Sequence, residues 1–253
     1  MAYSPHTEAD HQRMLGAIGA DSIEELFADI PPSVRATRFA IPPPLTEQEV
    51  RAELSRLAGR NRIASVSFLG AGAYRHLVPS VVTEVIGRSE FATSYTPYQP
   101  EVSQGTLQSI YEFQSLICEL TGMEVASASH YDGATATAEA ALMACRLTRR
   151  HRIAISTAVN PQVRRVLATY CSGPGIELIE VPADLTEGGS GLTPPTAAEA
   201  LGDDVACLIA AQPNFYGQLE PMRELADAAH AAGAQSVAVV EPISLALLEA
   251  PGA

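Results

Sequence analysis

The pattern of hydrophobic and polar positions changes near residue 104 of this 253-residue chain. Before that point, short amphipathic runs are interrupted by prolines such as Pro42-Pro43-Pro44, which favours short helices over a sheet. Thr46-Glu47-Gln48-Glu49 is a capping box and predicts the start of one of these helices. We therefore predict a mainly helical N-terminal arm with loops over residues 1–103 and an α/β domain over residues 104–253.

Apolar runs and helical patterns alternate in the second part of the chain. Helical spacing predicts a helix over residues 104–120 that stops at Thr121-Gly122. The elements predicted after it are strand 123–127, helix 133–147, strand 152–156, helix 161–169, strand 176–181, helix 197–201, strand 205–210, helix 221–232, strand 237–240 and an apolar helix over 243–248. This alternation indicates a mostly parallel sheet flanked by helices, on which ligands bind beyond the carboxyl ends of the strands. No closing element follows, so we expect the domain to be truncated at its C-terminal end.

Composition excludes several classes of function. The chain is 47% hydrophobic and 18% charged, which is typical of a globular protein. Its 16 basic and 29 acidic residues give a net charge of −13, a poor match for nucleic acid or an anionic membrane surface. All 16 basic residues are Arg, so no lysine amine in this sequence can form a Schiff base. Apolar runs are too short for a membrane span, and the polar start has no signal pattern, so we expect a cytoplasmic protein.

The four cysteines predict buried, reduced thiols. Cys118, Cys145, Cys171 and Cys207 are widely spaced in apolar surroundings, and no C-x-x-C spacing occurs. His130 and His151 are not at the spacing of zinc ligands, and the sequence analysis predicts no metal site.

Three polar segments are candidate sites, each with a structural alternative. Ser127–Ala136 precedes a predicted helix whose N-terminus suits a phosphate or carboxylate, although ordinary capping by Asp132 explains it equally. Thr93–Gly105 is a polar, aromatic loop that can build a site or merely connect elements. Ser67–His76 has glycines that permit unusual backbone angles, and its Tyr74, Arg75 and His76 can meet a ligand or form a turn.

Taken together, these segments resemble the P-protein family of the glycine cleavage system, in particular subunit 1 of its two-subunit bacterial form. The matching stretches are Met14–Gly19, Ser67–His76, Glu90–Gly105, Tyr111–Gln114, Leu120–Met123 and Tyr131–Ala140. The chain departs from the family pattern in three places. Ser127 stands where the family often has Asn, Asn160-Pro161 where it often has His-Pro, and Glu241 where an Asp is the usual partner of a pyridine nitrogen.

The resemblance implies the large-domain fold of aminotransferase-type (fold type I) pyridoxal-phosphate enzymes, behind a helical N-terminal extension. It implies a complex that decarboxylates glycine and transfers the aminomethyl group to the lipoyl group of the H protein. The cofactor lysine of the two-subunit form belongs to subunit 2, so this chain is expected to supply no catalytic residue and to be inactive alone. The residues expected near the shared site are Tyr98, Gln104, Tyr131, Gly133 and Thr135.

Two other functions stay open at this point. The chain can be a catalytically silent scaffold subunit that only binds its partner. An unrelated nucleotide-binding α/β enzyme is a weaker alternative, because the segment Ser127–Gly133 lacks a Gly-rich fingerprint.

Overall fold

The computed structural model of the chain describes residues 5–36, 40–70, 72–92, 96–196 and 201–253. The chain divides into two compact units, Met1–Val66 and Ser67–Ala253. The domain boundary predicted between residues 103 and 104 stays a prediction.

The first unit contains helices α1 (Glu8–Ile18) and α2 (Glu47–Ala58). The capping box predicted at α2 is confirmed: Thr46 N donates to Glu49 Oε2 at 2.8 Å, and the Thr46 hydroxyl accepts from Glu49 N at 3.3 Å. Two 3₁₀ turns, Ile23–Phe27 and Pro32–Val34, lie between these helices along the chain. Pro32 is the first residue of the second turn, a position at which proline's missing backbone donor costs nothing.

The second unit is a parallel α/β structure. Its helices are α3 (Ser80–Ile86), α4 (Ser89–Ala92), α5 (Gln104–Thr121), α6 (Gly133–Thr148), α7 (Pro161–Ser172) and α8 (Met222–Ala231). Its strands are β1 (Arg152–Ser156), β2 (Glu177–Val181), β3 (Val205–Gln212) and β4 (Gln235–Val240), followed by a 3₁₀ helix at Pro242–Ala246. The sheet order is β2-β1-β3-β4 and every pairing is parallel, which confirms the predicted fold class.

Helices cover both faces of the sheet. On one face, α6 and α7 pack on β1 and β3 through residues such as Ala141, Leu167, Ile153 and Ile209. On the other face, Leu225 of α8 and its neighbours pack against β3. β3 is buried from its first residue to Ala211, as expected for a central strand of a parallel sheet.

The predicted strand over residues 123–127 is wrong. This segment is irregular, and its Ala126 carbonyl accepts a hydrogen bond from Gln114 Nε2 of α5 at 2.5 Å. A short, partly apolar segment becomes a strand only if it pairs with a sheet edge, and this one has no strand partner among the described residues. The helix predicted over 197–201 falls largely on residues 197–200, outside the described residues.

The last predicted helix is shorter than expected. The segment from Pro242 to Ala246 forms a 3₁₀ turn, in which Ser244 N donates to Glu241 O at 3.0 Å. Within the described ranges, no helix has the length and hydrophobicity needed to cross a membrane.

Candidate functional site at the strand ends

The carboxyl ends of β1, β3 and β4 meet at one edge of the sheet. They end at Ser156, Gln212 and Val240. Because the chain leaves β1 toward β2 and leaves β3 toward β4, the crevice between β1 and β3 is the topological switch point. Ligands of open parallel sheets bind at such a point.

A buried polar network lies under this edge. The Glu220 carboxylate accepts from Thr193 N at 2.8 Å, from the Thr193 hydroxyl at 2.9 Å and from Asn214 Nδ2 at 2.9 Å. The hydroxyls of Thr193 and Ser156 lie 2.5 Å apart, and Glu220 N donates to Gln212 Oε1 at 2.8 Å. The network joins the ends of β1 and β3, and both oxygens of the Glu220 carboxylate accept hydrogen bonds. A fully paired network of this kind makes the base of the crevice rigid.

The turns after β1 and β3 are tied to each other. Phe215 N donates to the Ala158 carbonyl at 2.8 Å. Asn160 caps α7, accepting from Gln162 N at 2.9 Å through its side-chain oxygen. Gly72 approaches both turns: a Cβ placed on it would overlap the Asn160 side-chain nitrogen and lie 3.8 Å from Phe215 Cε2. The φ of +81° at residue 72 favours glycine, and a side chain there would also displace the Asn160 amide.

The segment after Gly72 continues to the end of β4. His76 Nε2 lies 3.5 Å from Glu241 Oε1, at the residue that follows β4. The other oxygen of Glu241, Oε2, accepts from Ser244 N at 3.0 Å. Both oxygens of this carboxylate are thus engaged by residues of the chain itself.

The N-terminus of α6 is capped by its own side chains. Asp132 accepts from Thr135 N at 2.8 Å, and the Thr135 hydroxyl donates to Asp132 Oδ1 at 2.9 Å. The backbone and hydroxyl donors of Thr135 hold the pKa of the Asp132 carboxyl below its ordinary value. A negative charge therefore already stands at the positive end of the helix dipole.

The five expected site residues fall into two groups. Tyr131, Gly133 and Thr135 stand together at the start of α6, and Tyr131 is 99% exposed. Tyr98 is exposed in the loop before α5, and Gln104 is the first residue of α5. In the described part of the chain, no hydrogen bond or ion pair joins the two groups. Their role near a shared site stays a prediction.

The residues at the strand ends do not fit pyridoxal phosphate. The sequence has no lysine to hold the cofactor. The Glu241 carboxylate, at the position expected to face a pyridine nitrogen, contacts His76 and Ser244 instead. At the N-terminus of α6, the Asp132 carboxylate accepts from Thr135 N, one of the backbone donors that a phosphate group would use. No step of a pyridoxal reaction is therefore assigned to residues of this chain.

The buried network and the pairing of His76 with Glu241 were not predicted from the sequence. A usable signal existed for the network, because Gln212, Asn214 and Glu220 follow an apolar strand and parallel strands collect such residues at one edge. No comparable signal existed for His76, whose partner lies 165 positions later in the sequence.

This architecture is that of the α/β proteins whose parallel sheet is covered on both faces and open at its carboxyl edge. A sphingosine-1-phosphate lyase from Burkholderia pseudomallei has the same fold, with a TM-score of 0.56 and 14% identity over 84% of this chain and 50% of that one. TDC of Oryza sativa, solved with PLP and tryptamine, has a TM-score of 0.51 and 12% identity over 94% of this chain and 58% of its own. These two likenesses concern the fold alone.

The chain belongs to the glycine cleavage system P-protein family, whose sequence profile matches residues 1–253. It is 58% identical to the "Probable glycine dehydrogenase (decarboxylating) subunit 1" of Moorella thermoacetica, over 100% of this chain and 56% of the relative. A protein of the same name from Thermomicrobium roseum is 50% identical over the same shares. The crystal structure of an inhibitor-bound glycine decarboxylase (P-protein) gives a TM-score of 0.87 and 46% identity, over 100% of this chain and 56% of that one. The chain thus spans a little over half the length of the relatives it matches.

Proposed function

We propose that this chain acts as the non-lysine subunit of a glycine cleavage P protein. The complex would decarboxylate glycine and pass the aminomethyl group to the lipoyl group of the H protein. The observation that carries the proposal is the family match over the whole chain, together with relatives named subunit 1.

The absence of lysine supports the proposal that another subunit holds the cofactor. Pyridoxal phosphate, where it is bound, supplies an electron sink for the electron pair left when carbon dioxide departs. It is held through a lysine side-chain amine, and the 253 residues contain no lysine. We therefore assign the cofactor to a partner subunit that carries the lysine. We also propose that the complex lies in the cytoplasm.

The contribution of this chain is then positional. Its strand-end edge is rigid, and the turns at Tyr98–Gln104 and Tyr131–Thr135 are exposed and rich in polar and aromatic groups. Exposed loops on a rigid scaffold are suited to completing a site on another subunit. The five residues Tyr98, Gln104, Tyr131, Gly133 and Thr135 are the proposed contacts.

Co-expression with the lysine-bearing subunit tests the proposal. Glycine–bicarbonate exchange is measured for each subunit alone and for the pair. We expect exchange only from the pair, and lower exchange when Tyr131 or Tyr98 is replaced by Ala. Tyr111→Ala, exposed on α5 and outside the proposed contacts, is the matched control.

Two results would overturn the proposal. Exchange by this chain alone would contradict the assignment of the cofactor to its partner. Unchanged exchange in the Tyr131→Ala and Tyr98→Ala pairs, with normal association, would leave the chain a silent scaffold.

A further inference from the structure

A short segment of the second unit runs along the carboxyl edge of the sheet. We call residues 72–79 the strap. It starts at Gly72, beside Asn160 and Phe215, and ends at Pro79, which precedes α3. Its residues from Ala73 onwards are exposed and irregular. An exposed irregular segment keeps one position only if it is fastened at specific points.

Two contacts fasten the strap. At the first anchor, Gly72 lies so close to the Asn160 side chain that a Cβ on residue 72 would require the Asn160 amide to shift. At the second anchor, His76 Nε2 lies 3.5 Å from Glu241 Oε1. The first anchor lies over the turns after β1 and β3, and the second lies at the end of β4. The strap therefore passes along the crevice edge from the switch point to the next strand.

Tyr74 and Arg75 lie between the two anchors. Both are exposed, and within the described ranges Arg75 makes no ion pair. A guanidinium and a phenol held at fixed positions beside a crevice suit polar recognition, provided that the backbone carrying them is held still.

We propose that the strap is fastened along the carboxyl edge of the sheet, from the turns after β1 and β3 to the end of β4, and that His76 is its positioning residue, acting through Glu241. Because Tyr74 and Arg75 lie between the two anchors, His76 restricts the backbone that carries them and does not itself meet a substrate. The consequence for catalysis rests on the proposed role in glycine cleavage. The fastening of the strap is independent of that role, because it concerns only contacts within this chain.

The first measurement is hydrogen exchange of the strap amides, made on the full chain in complex with the lysine-bearing subunit. His76→Ala is expected to speed exchange over residues 73–78 by about threefold to tenfold, the loss of one polar contact. Glu241→Gln removes the charge but keeps an acceptor for Ser244 N. It is expected to speed exchange of the strap amides as His76→Ala does. The double variant should exchange no faster than either single variant, because both changes remove the same contact.

Matched controls separate the anchors from general loosening. His151→Ala removes an exposed histidine beside the amino end of β1 and should leave strap exchange unchanged. Gly72→Ala and Gly70→Ala both place a side chain at positive φ, but only Gly72 has Asn160 in the way. Faster strap exchange in Gly72→Ala than in Gly70→Ala supports the first anchor, and equal rates overturn it.

The second measurement is glycine–bicarbonate exchange by the same complexes. His76→Ala is expected to lower kcat by about threefold to tenfold, while subunit association and Tm stay unchanged. His76→Gln keeps a hydrogen-bond donor, so it should recover part of the lost kcat. Loosened strap exchange with unchanged kcat and KM would overturn the positioning role, and unchanged strap exchange would overturn the strap itself. An inactive wild-type pair with a normally fastened strap would instead contradict only the proposed function.

Discussion

Burial decides the chemistry of individual cysteines in this chain. Cys145 on α6, Cys171 on α7 and Cys207 on β3 are buried in one core cluster, and none is in a disulfide. Burial raises the pKa of all three thiols, and for Cys207 burial, helped by the two neighbouring thiols, raises the pKa to about 12. The thiolate is the reactive form, so these side chains should be inert in the folded protein.

We expect native iodoacetamide labelling at about pH 8 to modify Cys118 first, because it is only half-buried. Cys145, Cys171 and Cys207 should react only after unfolding in urea. Mass spectrometry of tryptic peptides over time measures the labelling rate of each cysteine in the native and in the unfolded protein. Labelling of Cys207 at the rate of Cys118 in the native protein would contradict the burial argument.

The carboxylate of Asp132 makes stability depend on pH. Its folded-state pKa is lowered by hydrogen bonds from Thr135, so its contribution is complete above the ordinary value of 3.8 and is lost as the pH falls through the folded value. Asp132→Ala should therefore lower Tm by a few degrees at neutral pH and by less as the pH falls below about 4. Differential scanning calorimetry across this range, with the exposed Asp203→Ala as control, checks the effect. An unchanged Tm difference at every pH would contradict it.

Between elements, the buried polar network fixes the ends of β1 and β3 relative to each other. Thr193→Val removes the hydroxyl that bonds both Ser156 and Glu220, and leaves those buried atoms short of a partner. We expect a loss of about 1–3 kcal/mol in the free energy of unfolding, the usual cost of an unsatisfied buried polar group. Urea denaturation measures this change in the free energy of unfolding. Thr169→Val, at an exposed helix position, is the control and should change stability by less than about 0.5 kcal/mol.

The elements also explain which parts of the fold the sequence pattern can predict. β1 is predicted at Arg152–Ser156 and found there, because its central residues are apolar and both its neighbours are strands of the same sheet. The segment 123–127 also has apolar residues, but its Ala126 carbonyl bonds Gln114 of α5 and it pairs with none of the described strands. Local pattern specifies the tendency to extend, and long-range contacts decide whether a partner strand is present.

At the scale of the whole molecule, the candidate site is less predictable than the fold. Glycines and polar residues mark Ser67–His76 as a candidate, but the sequence cannot say that Gly72 meets Asn160 or that His76 meets Glu241. Such contacts depend on which strand ends lie side by side, and the order β2-β1-β3-β4 decides that. Motifs therefore locate the segments that matter, and topology determines what those segments touch.

The strand-end edge leads to a final prediction about cofactor binding. This chain has no lysine, its Glu241 carboxylate is engaged by His76 and Ser244, and Asp132 occupies the start of α6. Pyridoxal phosphate added to the chain alone should be lost on gel filtration, whereas the pair with the lysine-bearing subunit should retain it with its absorbance shifted. The matched control replaces the cofactor lysine of the partner by Ala, and that pair should associate normally without a shifted absorbance. Retention of one equivalent by this chain alone would contradict the assignment of the cofactor to the partner subunit, because in that assignment a lysine amine of the partner holds the aldehyde.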